Sequence, residues 1–168
     1  MAISRDSGAE MEEDTQKDKY LTFLLDKDAY AIEIRYVTEI IGIQPITEVP
    51  EMPDFIIGII NLRGKIIPVM DVRLRFKKKP MAYNDRTCVI VIDVRDTTMG
   101  LIVDNVSEVL SIPDENIVPP PEMNRGYENT FIKAIGKVGS EVRLILDCEK
   151  LIGGKDAVTS EATENSMR

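Results

Sequence analysis

Apolar and polar positions in this chain repeat mostly with a period of two, the period of a strand with one covered face. Leu21, Phe23 and Leu25 fall on one side, with Thr22 and Leu24 between them. Asp26-Lys27-Asp28 then makes a turn into a second strand, Tyr30–Ile34. Residues 34–41 fit either a helical turn or a strand, and we read a short turn followed by a strand over Glu39–Ile43. Pro45, Pro50 and Pro53 punctuate a loop that leads to Asp54, a candidate N-cap for one helical turn.

The next stretch is the most informative. Two apolar runs, Phe55–Ile60 and Ile66–Met70, flank the link Asn61-Leu62-Arg63-Gly64-Lys65. This predicts a β-hairpin in which Gly64 takes the positive φ of a short turn, with Arg63 and Lys65 at the tip. Pro68 lacks a backbone donor, so the second strand is expected at a sheet edge or with a bulge. Asp71 to Phe76 fits a strand or a short helix capped by Asp71. Arg73, Arg75 and Lys77–Lys79 read as a solvated basic edge, because no aromatics are interleaved with them.

Thr87–Ile92 is continuously apolar and predicts a strand covered on both faces. It is the expected seam between two lobes. Strands over Met99–Val103 and Val106–Ile112 follow, and then a long surface loop marked by Pro113, Pro119-Pro120-Pro121 and Gly126. Phe131–Val138 and Val142–Leu146 form a last hairpin around Gly139-Ser140, and Cys148–Ile152 reads as a short terminal helix ending at Gly153-Gly154. About ten short strands without strand–helix–strand alternation fit a pair of small barrels better than a doubly wound sheet.

Composition sharpens this reading. Ile (22) and Val (14) dominate the apolar set, aromatics are 5% and Trp is absent, which favours pleated sheet. The net charge of −8 leaves an acidic body, which argues against a phosphate-reading nucleic-acid binder and against an anionic membrane surface. No apolar run approaches the length of a membrane span, so a cytoplasmic protein is expected.

Candidate chemistry is sparse. The chain has no His, no Walker loop and no Gly-x-Gly-x-x-Gly segment. The commonest general base and the usual nucleotide cradles are therefore lacking, and neither a metal nor any other cofactor is expected. Asp71, Asp93 and Asp104 each end an apolar run, where acids usually bond turn amides. Cys88 and Cys148 sit among apolar residues and read as buried small hydrophobes. A binding module that uses its sheet edges is the physical default, and an enzyme is not expected.

The segment GIINLRGKIIPVMDVRLRF, from Gly58 to Phe76, resembles the signature region of CheW-type chemotaxis coupling proteins. The resemblance extends upstream through YLTFLLDKDAYAIEIRYVTEIIG and downstream through CVIVIDVRDTTMGLIVDNVSEVLSI, covering about Lys19 to Ile152. It implies a mostly β fold of two intimately packed five-stranded SH3-like β-barrels with short helices, interleaved and meeting near residues 87–92. An acidic disordered tail over 1–18 and a flexible tail over 153–168 would flank that domain. The resemblance favours the helical reading of Asp71–Phe76.

It further implies a non-catalytic adapter that joins the CheA histidine kinase, through the kinase's regulatory domain, to the cytoplasmic tip of chemoreceptors. Arg63 matches a key position of the family. Val37, Glu39, Val106 and Val109 match receptor-linked positions, as does Cys88, where an aliphatic residue is usual. Ile46 and Gly58 match the kinase-facing side of the first lobe. A small-molecule enzyme, which would need a deep polar pocket, is not expected, and two further alternatives stand beside this reading. One is a CheW-like regulatory domain of a larger kinase or coupling protein, disfavoured because only a short polar tail follows Ile152. The other is a barrel that binds single-stranded nucleic acid, which would need exposed aromatics on a strand face.

Overall fold

A computed structural model describes residues 16–121 and 130–153. Its strands are β1 (Lys19–Leu25), β2 (Asp28–Glu33), β3 (Val37–Gly42), β4 (Ile56–Leu62), β5 (Lys65–Asp71), β6 (Cys88–Val94), β7 (Thr97–Val103), β8 (Asn105–Ser111), β9 (Ile117–Val118), β10 (Ile132–Val138) and β11 (Glu141–Leu146). Two short helices, α1 (Val72–Arg75) and α2 (Cys148–Gly153), follow β5 and β11. The strands form two sheets, ordered β8-β1-β2-β11-β10-β9 and β3-β6-β7-β5-β4. The twin β units expected from the sequence are thus present as two packed sheets, one with the two-residue β9 as a sixth strand. Each sheet contains one parallel pair between strands distant in the chain, β2 with β11 and β5 with β7.

Strand alternation partitions the apolar side chains into three clusters. The largest lies between the sheets and combines Leu21, Phe23, Tyr30, Ile32 and Leu146 of the first with Met70, Ile90, Ile92, Leu101 and Val103 of the second. Phe23, Tyr30, Phe76 and Phe131 stack through it with centroid separations of 5.4–5.7 Å. The other face of the second sheet buries Ile60, Ile67, Val69, Val89, Val91 and Ile102. The other face of the first buries Tyr20, Ala31, Ile112 and Ile145. β6 therefore feeds two clusters, Ile90 and Ile92 on one side and Val89 and Val91 on the other, as its unbroken apolar run requires. All four Phe are buried, so none offers a stacking platform for a nucleic-acid base.

Several local expectations change. β5 is an interior strand, and the hairpin's bulge falls on β4, where Ile56 and Gly58 face Met70 and Val69. Pro68 is tolerated because it sits opposite Ile59, whose N–H and C=O both bond Thr47 outside the sheet. The nitrogen of Pro68 therefore faces away from β4, at the point where the parallel ladder with β7 begins, Val69 opposite Gly100. The Asp54 region forms a single turn closed by Ile56 N–H to the Pro53 carbonyl, and no helix follows. Helix α1 forms as the resemblance implies, with the Asp71 carboxylate accepting from the Arg73 and Leu74 amides. Asp18 joins the folded body, its carbonyl accepting from Ile112 N–H at 2.7 Å. Gly126, Gly154 and the remainder of both expected tails lie outside the described residues.

The basic cluster is the largest correction. Arg73 and Arg75 are buried, at 6% and 1% exposure, and are not a solvated edge. Arg73 donates to both oxygens of Asp104 (Nε to Oδ1 2.9 Å, Nη2 to Oδ2 3.2 Å), pairs with Asp26 and donates to the Lys79 carbonyl. Hydrogen bonding to Asp104 holds its pKa above the ordinary arginine value. Arg75 lies between the Phe55 and Phe131 rings, 4.3 and 4.4 Å from their centroids, and donates from Nε to the Leu151 carbonyl at 3.0 Å. Each guanidinium bridges segments of both sheets.

Candidate functional site

Direct pairing of β4 with β5 ends at Leu62 opposite Lys65, leaving Arg63 and Gly64 as a two-residue turn. Both take left-handed backbone angles, φ +53° and +89°, the geometry whose twist matches an antiparallel hairpin. Gly64 adopts it freely, and Asn61 closes the turn by accepting Gly64 N–H on Oδ1 at 2.8 Å. Arg63 bears a Cβ and adopts the same region at a cost of about 1 kcal/mol. Positive φ was expected at Gly64 alone. The exposed Arg63 guanidinium pairs with the Glu39 carboxylate on β3, so the hairpin tip reaches the opposite edge strand of its own sheet.

Two bulges decide where the other candidate residues face. On β3, Val37 lies opposite Ile92 and Glu39 opposite Val91, which leaves Thr38 as the extra residue. Val37 and Glu39 would share a face in a regular strand, and the bulge separates them. Val37 packs on the inter-sheet cluster with Ile92, whereas Glu39 shares the face of Val91. On β8, Val106 lies opposite Phe23 and Val109 opposite Leu21, with Ser107 extra. Three-residue spacing would normally oppose Val106 and Val109, and here the bulge brings both to the face of Leu21 and Phe23.

Cys88 lies between Gly42 of β3 and Val103 of β7, three residues before Val106. Val37, Cys88 and Val106 are half-buried and pack against the same inter-sheet cluster. Val109 is 51% exposed on β8, which pairs with β1 alone, as β3 pairs with β6 alone. The candidate receptor-linked residues therefore occupy two of the four edge strands, β3 and β8, the interior strand β6 next to β3, and the hairpin tip that touches β3. Sequence alternation could not show which face these positions take, because both bulges break it.

Ile46 and Gly58 are also brought together. A Cβ on Gly58 would stand 2.7 Å from Ile46 Cγ2 and 2.3 Å from the Thr47 carbonyl oxygen. Thr47 and Ile59 exchange two backbone hydrogen bonds of 2.9 Å across this point. Gly58 is buried and faces no solvent. Its role is to let the β3–β4 connection lie flat on β4, while Ile46 packs half-buried on the cluster at the second sheet's outer face.

Of the three strand-end acids, Asp71 and Asp104 bond backbone amides as their positions predict, whereas Asp93 accepts from the Thr98 hydroxyl. Besides capping α1, Asp71 accepts from the Tyr83 hydroxyl at 2.8 Å, and burial together with that bond raises the Tyr83 pKa. Asp104 accepts from Asp26 N–H as well as Arg73. Burial pushes the Cys148 thiol up to about 12. Among the described residues no group of three or more His, Cys, Asp or Glu is placed to hold a metal ion. Nor is any helix among them long and apolar enough to cross a membrane.

Comparison with known proteins gives a consistent result. A family model described as the CheW-like domain matches residues 19–155. The chemotaxis protein CheW of Klebsiella aerogenes is 35% identical over 143 residues, 85% of this chain and 86% of that protein. CheW of Helicobacter pylori is 30% identical over 146 residues, 87% and 88% of the two chains. In three dimensions the fold is similar to the scaffolding protein TtCheW from Thermoanaerobacter tengcongensis. The TM-score is 0.76 at 35% identity, covering 83% of this chain and 96% of that one.

Proposed function

The chain belongs to the CheW-like domain family of chemotaxis proteins, where it is a scaffold or adapter, and we propose that it couples chemoreceptors to the CheA histidine kinase by binding both. In this reading it catalyses nothing and works in the cytoplasm. Its chemistry is recognition by two surfaces of one rigid body.

The receptor tip is a helical hairpin, and the surface offered to it draws on edge strands β3 and β8 and on Cys88 of β6. Val37, Cys88 and Val106 supply an apolar rim backed by the inter-sheet core, and Val109 extends it outward. One apolar helix face fits such a rim. Arg63 and Glu39 contribute the charges that fix register, a role that governs specificity more than raw affinity. For the kinase, Ile46 and the segment laid down over Gly58 form the contacting side, against a regulatory domain of the same fold packed in pseudo-symmetric fashion.

The observation that carries this reading is the ion pair between the hairpin tip and β3. It places Arg63 beside a free sheet edge, on a residue held in a left-handed conformation that stability alone would assign to Gly or Asn. The test is capture of wild type, Arg63→Ala and Arg63→Glu by a receptor cytoplasmic fragment and, separately, by the CheA regulatory domain. Both variants are expected to stay folded, to lose receptor capture and kinase activation, and to keep kinase binding. Normal coupling by Arg63→Glu would reduce Arg63 to a turn residue.

A further inference from the structure

The tip that presents Arg63 is held on its other flank by residues that carry no assigned role. Lys65, first residue of β5, donates from Nζ to the Thr98 hydroxyl at 3.2 Å, and Thr98 donates to Asp93 Oδ1 at 2.5 Å. The order is fixed by chemistry. An ammonium only donates and a carboxylate only accepts, so the one hydroxyl proton of Thr98 must point to Asp93. Thr98 and Asp93 are direct cross-strand partners on β7 and β6. Asp93 lies two residues beyond Val91 and so shares its face of the sheet, the face that Glu39 shares from β3.

The tip is thus tied at two points on one face. Arg63 is anchored to β3 through Glu39, and Lys65 is anchored to β6 and β7 through Thr98 and Asp93. We propose that Thr98 and Asp93 are positioning residues for the receptor-facing arginine, forming with Lys65 a second clamp that fixes the direction in which the hairpin tip presents Arg63. The proposal rests on the reading that Arg63 meets the receptor. With one anchor cut, the tip pivots on the other, and binding must then supply the lost order. Lys65 and Asp93 are exposed and Thr98 is half-exposed, so the clamp adds little to global stability and acts on local geometry.

The experiment uses the full chain and Thr98→Val, which keeps the β-branched shape and removes both bonds, beside Thr98→Ser, which keeps the hydroxyl. Two quantities are measured for each: affinity for a receptor cytoplasmic fragment, and backbone amide order at Arg63 and Gly64 by NMR relaxation in the absence of partners. Thr98→Val is expected to loosen the tip and to weaken receptor binding about 3- to 10-fold, the scale of one lost hydrogen bond. Binding of the CheA regulatory domain should not change, and Thr98→Ser should restore both quantities. An unchanged tip and unchanged affinity in Thr98→Val, while Arg63→Ala weakens receptor binding, would overturn the clamp and leave the receptor reading intact. If Arg63→Ala has no effect on receptor binding, the receptor reading fails, and the order parameters alone decide whether the clamp exists.

Discussion

Replacing Arg75 with alanine should destabilise the protein severely, because this guanidinium ties together segments from both sheets. Arg75 extends from α1 on the second-sheet side. Phe55 precedes β4 of that same sheet, whereas Phe131 and α2 flank β10 and β11 of the other. Truncation to alanine removes a charged donor from the buried Leu151 carbonyl, worth about 1.5–3 kcal/mol. It also removes two desolvated cation–π contacts, each about 1–2 kcal/mol. Relief of the desolvation borne by a buried charge offsets part of this. The net loss is about 3–5 kcal/mol, a large share of the roughly 5–15 kcal/mol that a domain possesses. Arg75→Met keeps most of the packing between the rings and should lose about half as much.

Urea titration followed by far-UV circular dichroism reads this directly, tryptophan being absent. Hydrogen exchange at Leu151 and Ile152 should accelerate in Arg75→Ala before exchange in β6 does, since α2 loses its anchor first. A loss below about 1 kcal/mol, or exchange that speeds up equally in α2 and β6, would refute the view that Arg75 joins the halves.

Three other outcomes follow from the same structure. Gly58→Ala should lower stability by about 2–4 kcal/mol in a thermal melt and weaken kinase binding, because its Cβ cannot coexist with the Thr47 carbonyl. A Glu39→Ala and Arg63→Ala double-mutant cycle should give a coupling of at most about 1 kcal/mol in stability, while Arg63→Gly raises the melting temperature by relieving the left-handed strain and still loses receptor capture. Folding holds Cys148 protonated to higher pH, so its contribution is complete below the ordinary thiol value of 9.0 and is lost as pH climbs from there towards about 12. Stability from urea titrations should fall by up to ~1.4 kcal/mol per unit across that window, with Tyr83 adding to the loss above pH 10, and Cys148→Ala should flatten the slope near pH 9–10.

The sequence revealed features set by neighbours in the chain and concealed those set by distant partners. The hairpin around Arg63-Gly64, the two-faced strand β6 and the Asp71 cap each depend on residues a few positions apart, which periodicity and turn chemistry report. Burial of Arg73 and Arg75 depends on Asp26, Asp104, Phe131 and Leu151, far away in sequence, and Arg-rich text looks the same in water or in a core. The bulges at Thr38 and Ser107 leave no residue signature, yet they decide that Val106 and Val109 share a face and that Val37 and Glu39 do not. Positions matched to the family by resemblance could therefore be named from the sequence, whereas the faces taken by those on β3 and β8 needed the fold. One signal was available and unused: Asn61, three residues before Gly64, is the residue type that closes a left-handed turn.

Simultaneous binding is the claim on which the account stands, and sedimentation velocity of the full chain with a receptor cytoplasmic fragment and the CheA regulatory domain tests it most directly. A ternary species containing all three is expected with wild type, and only the kinase-bound binary species with Arg63→Glu. Competition between the two partners for wild type, or sedimentation of the chain alone beside both, would contradict it.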